Sequence, residues 1–437
     1  MGLIVLAGGC EKSPTPPTPP LAVDSLTLYR QTFADPTECA GCHPNHYLEW
    51  QQSMHAYAFT DPIFFTLNAI GQQRSGNQLD QFCIKCHSPF AALLQEAPPG
   101  FNPNALSSLA KNGLHCDACH TMKAFERGKA FKTFHLDRVR RGPISDPQPN
   151  SYHGSAFDDR FIFSDFCSAC HDVKSPDGQV LLEATNTEWD NSPYLAMGLH
   201  CQDCHMPAYR GQAAVGGPLR DNVHRHTFTG VDYPLVDFPG KDETIARVRE
   251  LLENSVSMAV SAPAQVAAGG SFSVEVSITN DRTGHNVPSG TIFERQMWIE
   301  IVVKDAASGA ELFASGLLDP NGDLRNHHSE YVSSGQLPAD TALALFNGTP
   351  IDQNGHETLF FWEARSVENR TIAPFETRSA IYSLTAPAQP GTLELSVRLR
   401  FRSFPPYLLR AIGEDDLLPN LLIFDMETES RLIAVSN

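Results

Sequence analysis

Cys39-Ala-Gly-Cys42-His43 sets a pattern that returns four times, as Cys83-Ile-Lys-Cys86-His87, Cys116-Asp-Ala-Cys119-His120, Cys167-Ser-Ala-Cys170-His171 and Cys201-Gln-Asp-Cys204-His205. Ten of the 11 cysteines belong to these units. Random placement at this composition gives roughly 0.01 such units per chain, so the five are not accidental. A zinc site also uses paired cysteines, but needs no His directly after each pair. A disulfide framework leaves the five adjacent histidines unexplained, and a thioredoxin-like pair is expected once, in a βαβ setting. Haem attachment accounts for every position. Two thiols add across the haem vinyl groups, and the following His reaches the iron. The expectation is five haem c groups, each with iron. Their attachment residues are Cys39, Cys42, Cys83, Cys86, Cys116, Cys119, Cys167, Cys170, Cys201 and Cys204. Their proximal ligands are His43, His87, His120, His171 and His205.

Around this segment the 437-residue chain reads as α + β in separate domains. Residues 1–20 resemble a shortened lipoprotein signal ending at Cys10, the one cysteine outside the haem units, followed by a Pro-rich spacer (SPTPPTPP, residues 13–20). Residues 21–240 form a mainly helical and loop domain in which porphyrins take the place of an apolar core. A helix is expected over Asn45–Phe59, and a linking helix within 241–255, over Asp242–Asn254. Residues 256–437 alternate as strands, at Ser271–Thr279, Gln296–Lys304, Ala380–Leu384 and Thr392–Arg402, and read as an all-β sandwich of the immunoglobulin-like type without its disulfide. Cys83 to Cys116 and Cys167 to Cys201 have nearly equal spacing, and Gly113-Leu-His-Cys116 echoes Gly198-Leu-His-Cys201. The expectation is a duplicated two-haem module with one extra haem in front.

A formal charge of −18 argues against nucleic acid or an anionic membrane surface as a partner and suits basic redox proteins. Covalent haem implies export, and with a lipid on Cys10 this gives a periplasmic or cell-surface lipoprotein bound to a membrane by that lipid.

Each iron has a second axial position, and 12 of the 17 histidines are left for it. His55 lies twelve residues beyond His43 on one expected helix, about 18 Å away at 1.5 Å per residue, so it can serve only a neighbouring haem. His115 and His200 directly precede cysteines of a motif and likewise could serve only another haem. A surface or propionate-bonded role is favoured for both, and a structural one for His46. Met54, Met122, Met197 and Met206 lie nearby but read as packing.

Cys39-x-x-Cys42-His43 followed by Glu49-Trp50-Gln-Gln-Ser53-Met-His55 resembles the opening of bacterial multihaem cytochromes c. This superfamily includes the tetrahaem cytochrome of hydroxylamine oxidation and extracellular electron-transfer proteins. Further pieces are Gly142-Pro143 with His153, Glu188-Trp189-Asp-Asn-Ser192-Pro-Tyr194, Arg225-His226-Thr-Phe228, and Thr283-Gly284-His285 in the β region. The resemblance implies His55, His153, His226 and His285 as distal ligands. For a fifth, His135, His224 and His115 stay open. No Cys-x-x-Cys-Lys unit occurs, which speaks against a haem nitrite reductase.

The leading expectation is electron transfer through five mostly bis-His haems, as carrier or conduit. The partners would be redox proteins and an extracellular acceptor, with an oligomer or filament left open and no catalytic residue named. The rival is an oxidoreductase acting on a small nitrogen or sulfur compound at one five-coordinate haem. The number of distal ligands separates the two.

Overall fold

The computed structural model describes residues 25–437. Cys10 and the Pro-rich stretch lie outside the described residues. Among the described residues no helix is long and apolar enough to cross a membrane.

The first half is built from short pieces. Pro44 opens the helix Pro44–Gln51 directly after His43, and Pro89 opens Pro89–Leu93 two residues after His87. Proline at the first helical position costs no hydrogen bond and presets φ, so these two motifs hand over at once to a new helix. The expected helix over Asn45–Phe59 is broken. Pro44–Gln51 and Met54–Tyr57 are separate, because Ser53 takes extended φ/ψ and caps the second. The Ser53 hydroxyl donates to the Trp50 carbonyl (2.7 Å), a local bond that competes with continued helix. The 18 Å reach expected for His55 therefore does not apply.

Three two-stranded ribbons complete this half: Met122–Phe125 with Phe131–Phe134, Val139–Gly142 with Gly154–Phe157, and Ala208–Gln212 with Leu219–His224. Only small apolar clusters occur here, one around Phe59, Ile84 and Leu106, another around Phe33, Phe90 and Leu109.

The second half forms two principal sheets. Thr377–Thr385, Ser271–Thr279 and Ser257–Ser261 pair antiparallel in that order. Glu311–Ser315, Gln296–Asp305, Gly391–Arg402, Phe424–Ser436 and Gln265–Ala267 make the other, with the last joint parallel. Ser271–Thr279 and Gly391–Arg402 alternate, whereas Gln296–Asp305 is buried over almost its whole length. Val274, Val276 and Ile278 point into one core with Ile299, Ile301, Leu395, Val397 and Leu399, all essentially fully buried. Val248 and Leu252 of the helix Lys241–Glu253 join it. So do Ile63 and Leu67 of Pro62–Ser75 and Leu79, all from the first half. Arg74 forks onto Glu363 (2.6 and 3.1 Å) across the same junction. One continuous core thus crosses the boundary expected at 241–255 and fixes the two halves to each other.

A repeat is visible in hydrogen bonds. The Trp50 indole donates to the Leu114 carbonyl and the Trp189 indole to that of Leu199, both at 2.9 Å. Ser53 and Ser192 bond back to the two tryptophan carbonyls. Leu114 N–H donates to the carbonyl of His55, and Leu199 N–H to that of Tyr194, each two residues past its serine. Gly113 and Gly198, before the two leucines, are both left-handed (φ 60° and 69°), and a Cβ on Gly113 would meet the His55 carbonyl oxygen. The equivalent units are therefore 39–43 with 116–120, and 167–171 with 201–205. The extra motif is the second, 83–87, inserted rather than leading.

Leu114 is 9% exposed and Leu199 37%. Trp50→Phe strands a buried carbonyl and is expected to cost about 1–3 kcal/mol of holoprotein stability. Trp189→Phe should cost clearly less, because water can reach Leu199. Guanidinium unfolding of both variants checks this, and equal costs would refute the equivalence of role with difference in burial.

Candidate haem-binding site

All five motifs line one continuous cavity of about 2030 Å³, against roughly 300–1,000 Å³ for an ordinary small-molecule pocket. Thiols of different motifs come within hydrogen-bonding reach: Cys39 with Cys116, Cys86 with Cys170, and Cys167 with Cys201. These sulfurs stand for the thioethers that would attach porphyrin, so the motifs lie edge to edge.

Each proximal His is anchored through Nδ1. That nitrogen donates to the carbonyls of Ala213 for His43 (2.6 Å), Ala58 for His87 (2.9 Å), Arg141 for His120 (2.6 Å) and Thr229 for His205 (2.7 Å). For His171 the acceptor is the Glu183 carboxylate (2.9 Å). An acceptor at Nδ1 places the ring proton there and leaves the Nε2 lone pair for a metal. Burial is the largest single effect on His171 and works against its charge, but the Glu183 hydrogen bond and charge, together with the nearby Cys201 and Cys86 thiols, push this imidazole up to about 9.

Four of these rings face a second imidazole. Centroid separations are 6.3 Å for His43–His153, 6.3 Å for His55–His171, 6.3 Å for His120–His226 and 6.2 Å for His205–His285. A metal sits about 2 Å from a ligating imidazole nitrogen and a ring radius adds about 1 Å, so two imidazoles on one ion should stand about 6 Å apart. All four pairs meet that distance. The second members are also held at Nδ1, His153 by the Gly154 carbonyl, His226 by that of His224 and His285 by that of Asn286. Burial pushes His55 down to about 3 and His285 to about 4, and His226 well below its ordinary value, so these rings are neutral and can ligate. Cavity, thiols and paired imidazoles together fit haem c.

The glutamates of the repeat position two of these segments. Glu49 accepts from the His226 backbone N–H (2.8 Å) and from Arg225 (2.6 Å). Glu188 accepts from Asn286 N–H (3.2 Å) and the Ser289 hydroxyl (2.6 Å) beside His285. Burial pushes Glu188 up to about 7. The loop carrying His285 follows the strand Ser271–Thr279. Asn280, buried at its start, donates to the His285 and Ile372 carbonyls (2.8 and 2.9 Å). The β region thus supplies part of the cavity wall.

The remaining candidates face no proximal ring, although His115 and His224 border the cavity. His115 is buried against Phe90 (4.8 Å) in the small cluster with Leu109. Its counterpart His200 packs on Trp189 and takes a hydrogen bond from Ser164. His135 does not border the cavity. His224 borders it, bonded to the Met206 carbonyl (2.6 Å), but faces no proximal ring. His46 stands 6.1 Å from His43 but packs on His226 at 4.5 Å and sits within one turn of His43, on the proximal side. Among the described residues no second imidazole is paired with His87 at the spacing of the other four, and the face of its ring stacks on Phe64 (4.1 Å). Glu183 escapes a sequence reading because nothing marks a carboxylate twelve residues past its His. Glu49 and Glu188 open the stretches Glu49-Trp50-Gln-Gln-Ser53 and Glu188-Trp189-Asp-Asn-Ser192, but nothing in the sequence gave the glutamates a role.

Residues 38–121 match the family described as cytochrome c554 and c-prime. No curated protein matches the chain. Among solved structures the chain is similar to a penta-haem cytochrome c552 from Thermochromatium tepidum. The TM-score is 0.64 at 22% identity, over 92% of this chain and 99% of that one. A CARDB domain of the PF1109 protein from Pyrococcus furiosus aligns over 41% of this chain and 85% of its own at 9% identity, with a TM-score of 0.17 that carries no argument. The family match over residues 38–121, the shared fold and the anchored histidines around one cavity make this chain similar to the multihaem cytochromes c.

Proposed function

We propose that the chain holds five haem c groups and works as an exported electron carrier or conduit. The observation that carries this is the set of four facing imidazole pairs. Each bound haem would supply a one-electron couple, and at the four paired sites bis-His ligation would keep it low in potential and closed to exogenous ligands. The chain's own residues do the rest. His153, His55, His226 and His285 close the far sides opposite His43, His171, His120 and His205. Carbonyls at Nδ1 fix the ring planes. The contacting motif cysteines keep neighbouring sites edge to edge, as stepwise transfer needs. An acidic chain suits basic redox partners. Attachment by a lipid on Cys10 would place it at a periplasmic or outer surface, and an extracellular acceptor is then within reach. The β region is read as immunoglobulin-like, with the supply of His285 as its first duty.

A second reading has one specific support, the absence of an imidazole opposite His87 among the described residues. Phe64 belongs to Pro62–Ser75, whose N-cap is Asp61. Burial pushes the Asp61 carboxyl up to about 7, so a protonatable group stands at the start of the helix packed on His87. A site of this kind could reduce or oxidise a small nitrogen or sulfur compound while the other four pairs feed it.

The ferric holoprotein should show about one high-spin iron in five by electron paramagnetic resonance. Five low-spin irons would remove the second reading. Two or more high-spin irons would remove the assignment of four pairs. His285→Ala should add one further high-spin iron with the sheets intact. In Glu183→Gln the His171 imidazole loses its carboxylate partner, which favours the oxidised iron. One midpoint potential should then rise by on the order of tens of millivolts in a spectroelectrochemical titration. An unchanged set of potentials would show that Glu183 only orients the ring.

A further inference from the structure

Three histidines lie in the β region away from His285: His327, His328 and His356. Two of them converge on one carboxylate. His327 Nε2 and His328 Nε2 donate to the two oxygens of Glu357 at 2.8 and 3.0 Å. The three ligand atoms lie within 4.8 Å of one another. We propose that His327, His328 and Glu357 form a surface site for one divalent transition-metal ion of the zinc class, separate from the haem cavity.

Imidazole with carboxylate is a donor set for borderline divalent ions, and three protein ligands leave a position for water. The site is built rather than incidental. The His328 ring stacks flat on Tyr407 (3.8 Å, 11°), which fixes its orientation. Its backbone N–H donates to Asn326 Oδ1 (3.0 Å), and Ser329 next to it is fully buried and caps the helix Glu330–Ser333. Glu357 is held across the Ile351–Glu357 bridge, with its side chain 29% exposed. His327, at 69%, supplies the open face. The ion would tie the 326–328 turn to the 351–357 turn at the lip beside Pro406–Ile412. On binding, the Nε2 protons that now hold the carboxylate move to Nδ1 and both imidazoles stay neutral. Protons compete with the metal for the imidazole nitrogens, so occupancy falls as the pH is lowered. A net charge of −18 favours cation uptake.

The test uses the haem-loaded protein, stripped with a chelator and dialysed against zinc buffered at about 1 µM free ion. Elemental analysis then gives zinc per chain. About one zinc is expected at pH 7.5, falling at least tenfold in E357Q and in the double variant H327A/H328A, and falling in the wild type at pH 5.5. Zinc should also raise the unfolding temperature of the wild type and not of the variants. H327A alone, at an exposed ring, covers the case in which the others fold poorly. Zinc at the same stoichiometry in wild type and H327A, or none in the wild type at this concentration, overturns the site.

Discussion

The arrangement depends on one repeated constraint: an imidazole fixed at Nδ1 so that Nε2 points into the cavity. Five backbone or carboxylate acceptors impose it on the proximal histidines, from residues as far away in sequence as Ala213 from His43. A neutral imidazole has one proton, and a carbonyl can only accept, so the tautomer follows from the fold. The first half has few apolar clusters of its own, and its short helices and ribbons exist to place these acceptors. The strand Val139–Gly142 illustrates this. Its Arg141 carbonyl orients His120, and its parallel partner begins at Gly154, whose carbonyl orients His153 opposite His43. One small ribbon thus serves two sites.

The same constraint explains why the β region is not a loose appendage. His285 can face His205 only if the turn after Ser271–Thr279 is held to within a fraction of an ångström. That turn is fixed from inside the sheet by Asn280 and from the other half by Glu188. The shared core of Ile63 and Leu67 with the strands removes the freedom that a linker between domains would allow. The two halves are one mechanical unit in which the sheets hold the His285 ring facing His205.

Much of this was legible in the residues. The motif chemistry gave the attachment and proximal positions, and strict alternation located Ser271–Thr279 to the residue. The facing histidines were reached only through the resemblance to multihaem cytochromes c, in pieces such as Trp-x-x-Ser-x-His and Thr-Gly-His, whose partners no spacing could reveal. His55 lies opposite His171 because the chain turns sharply at Ser53, and a helical period read straight through a serine cannot show that. The continuity of the core across 241–255 was hidden for a similar reason. Ile63 and Leu67 look like any buried helix face until the sheet they meet is known.

The repeat was the least legible feature, and it is the one that gives the odd site its meaning. Equal cysteine spacing favoured pairing 83–116 with 167–201. The hydrogen bonds pair 39–116 with 167–201, through matching Glu, Trp, Ser, Gly and Leu positions. Covalent spacing counts residues, whereas a fold repeats contacts, so an inserted segment breaks the first and spares the second. The inserted segment runs between Ser53 and Gly113 and carries the motif of His87. Each doubled unit inherits a glutamate clamp beside an imidazole that faces its second motif, His226 for one and His285 for the other. The insertion inherits no such clamp, and its histidine meets a phenylalanine instead. The repeat thus accounts for two of the four facing pairs, and the inserted motif lies outside it.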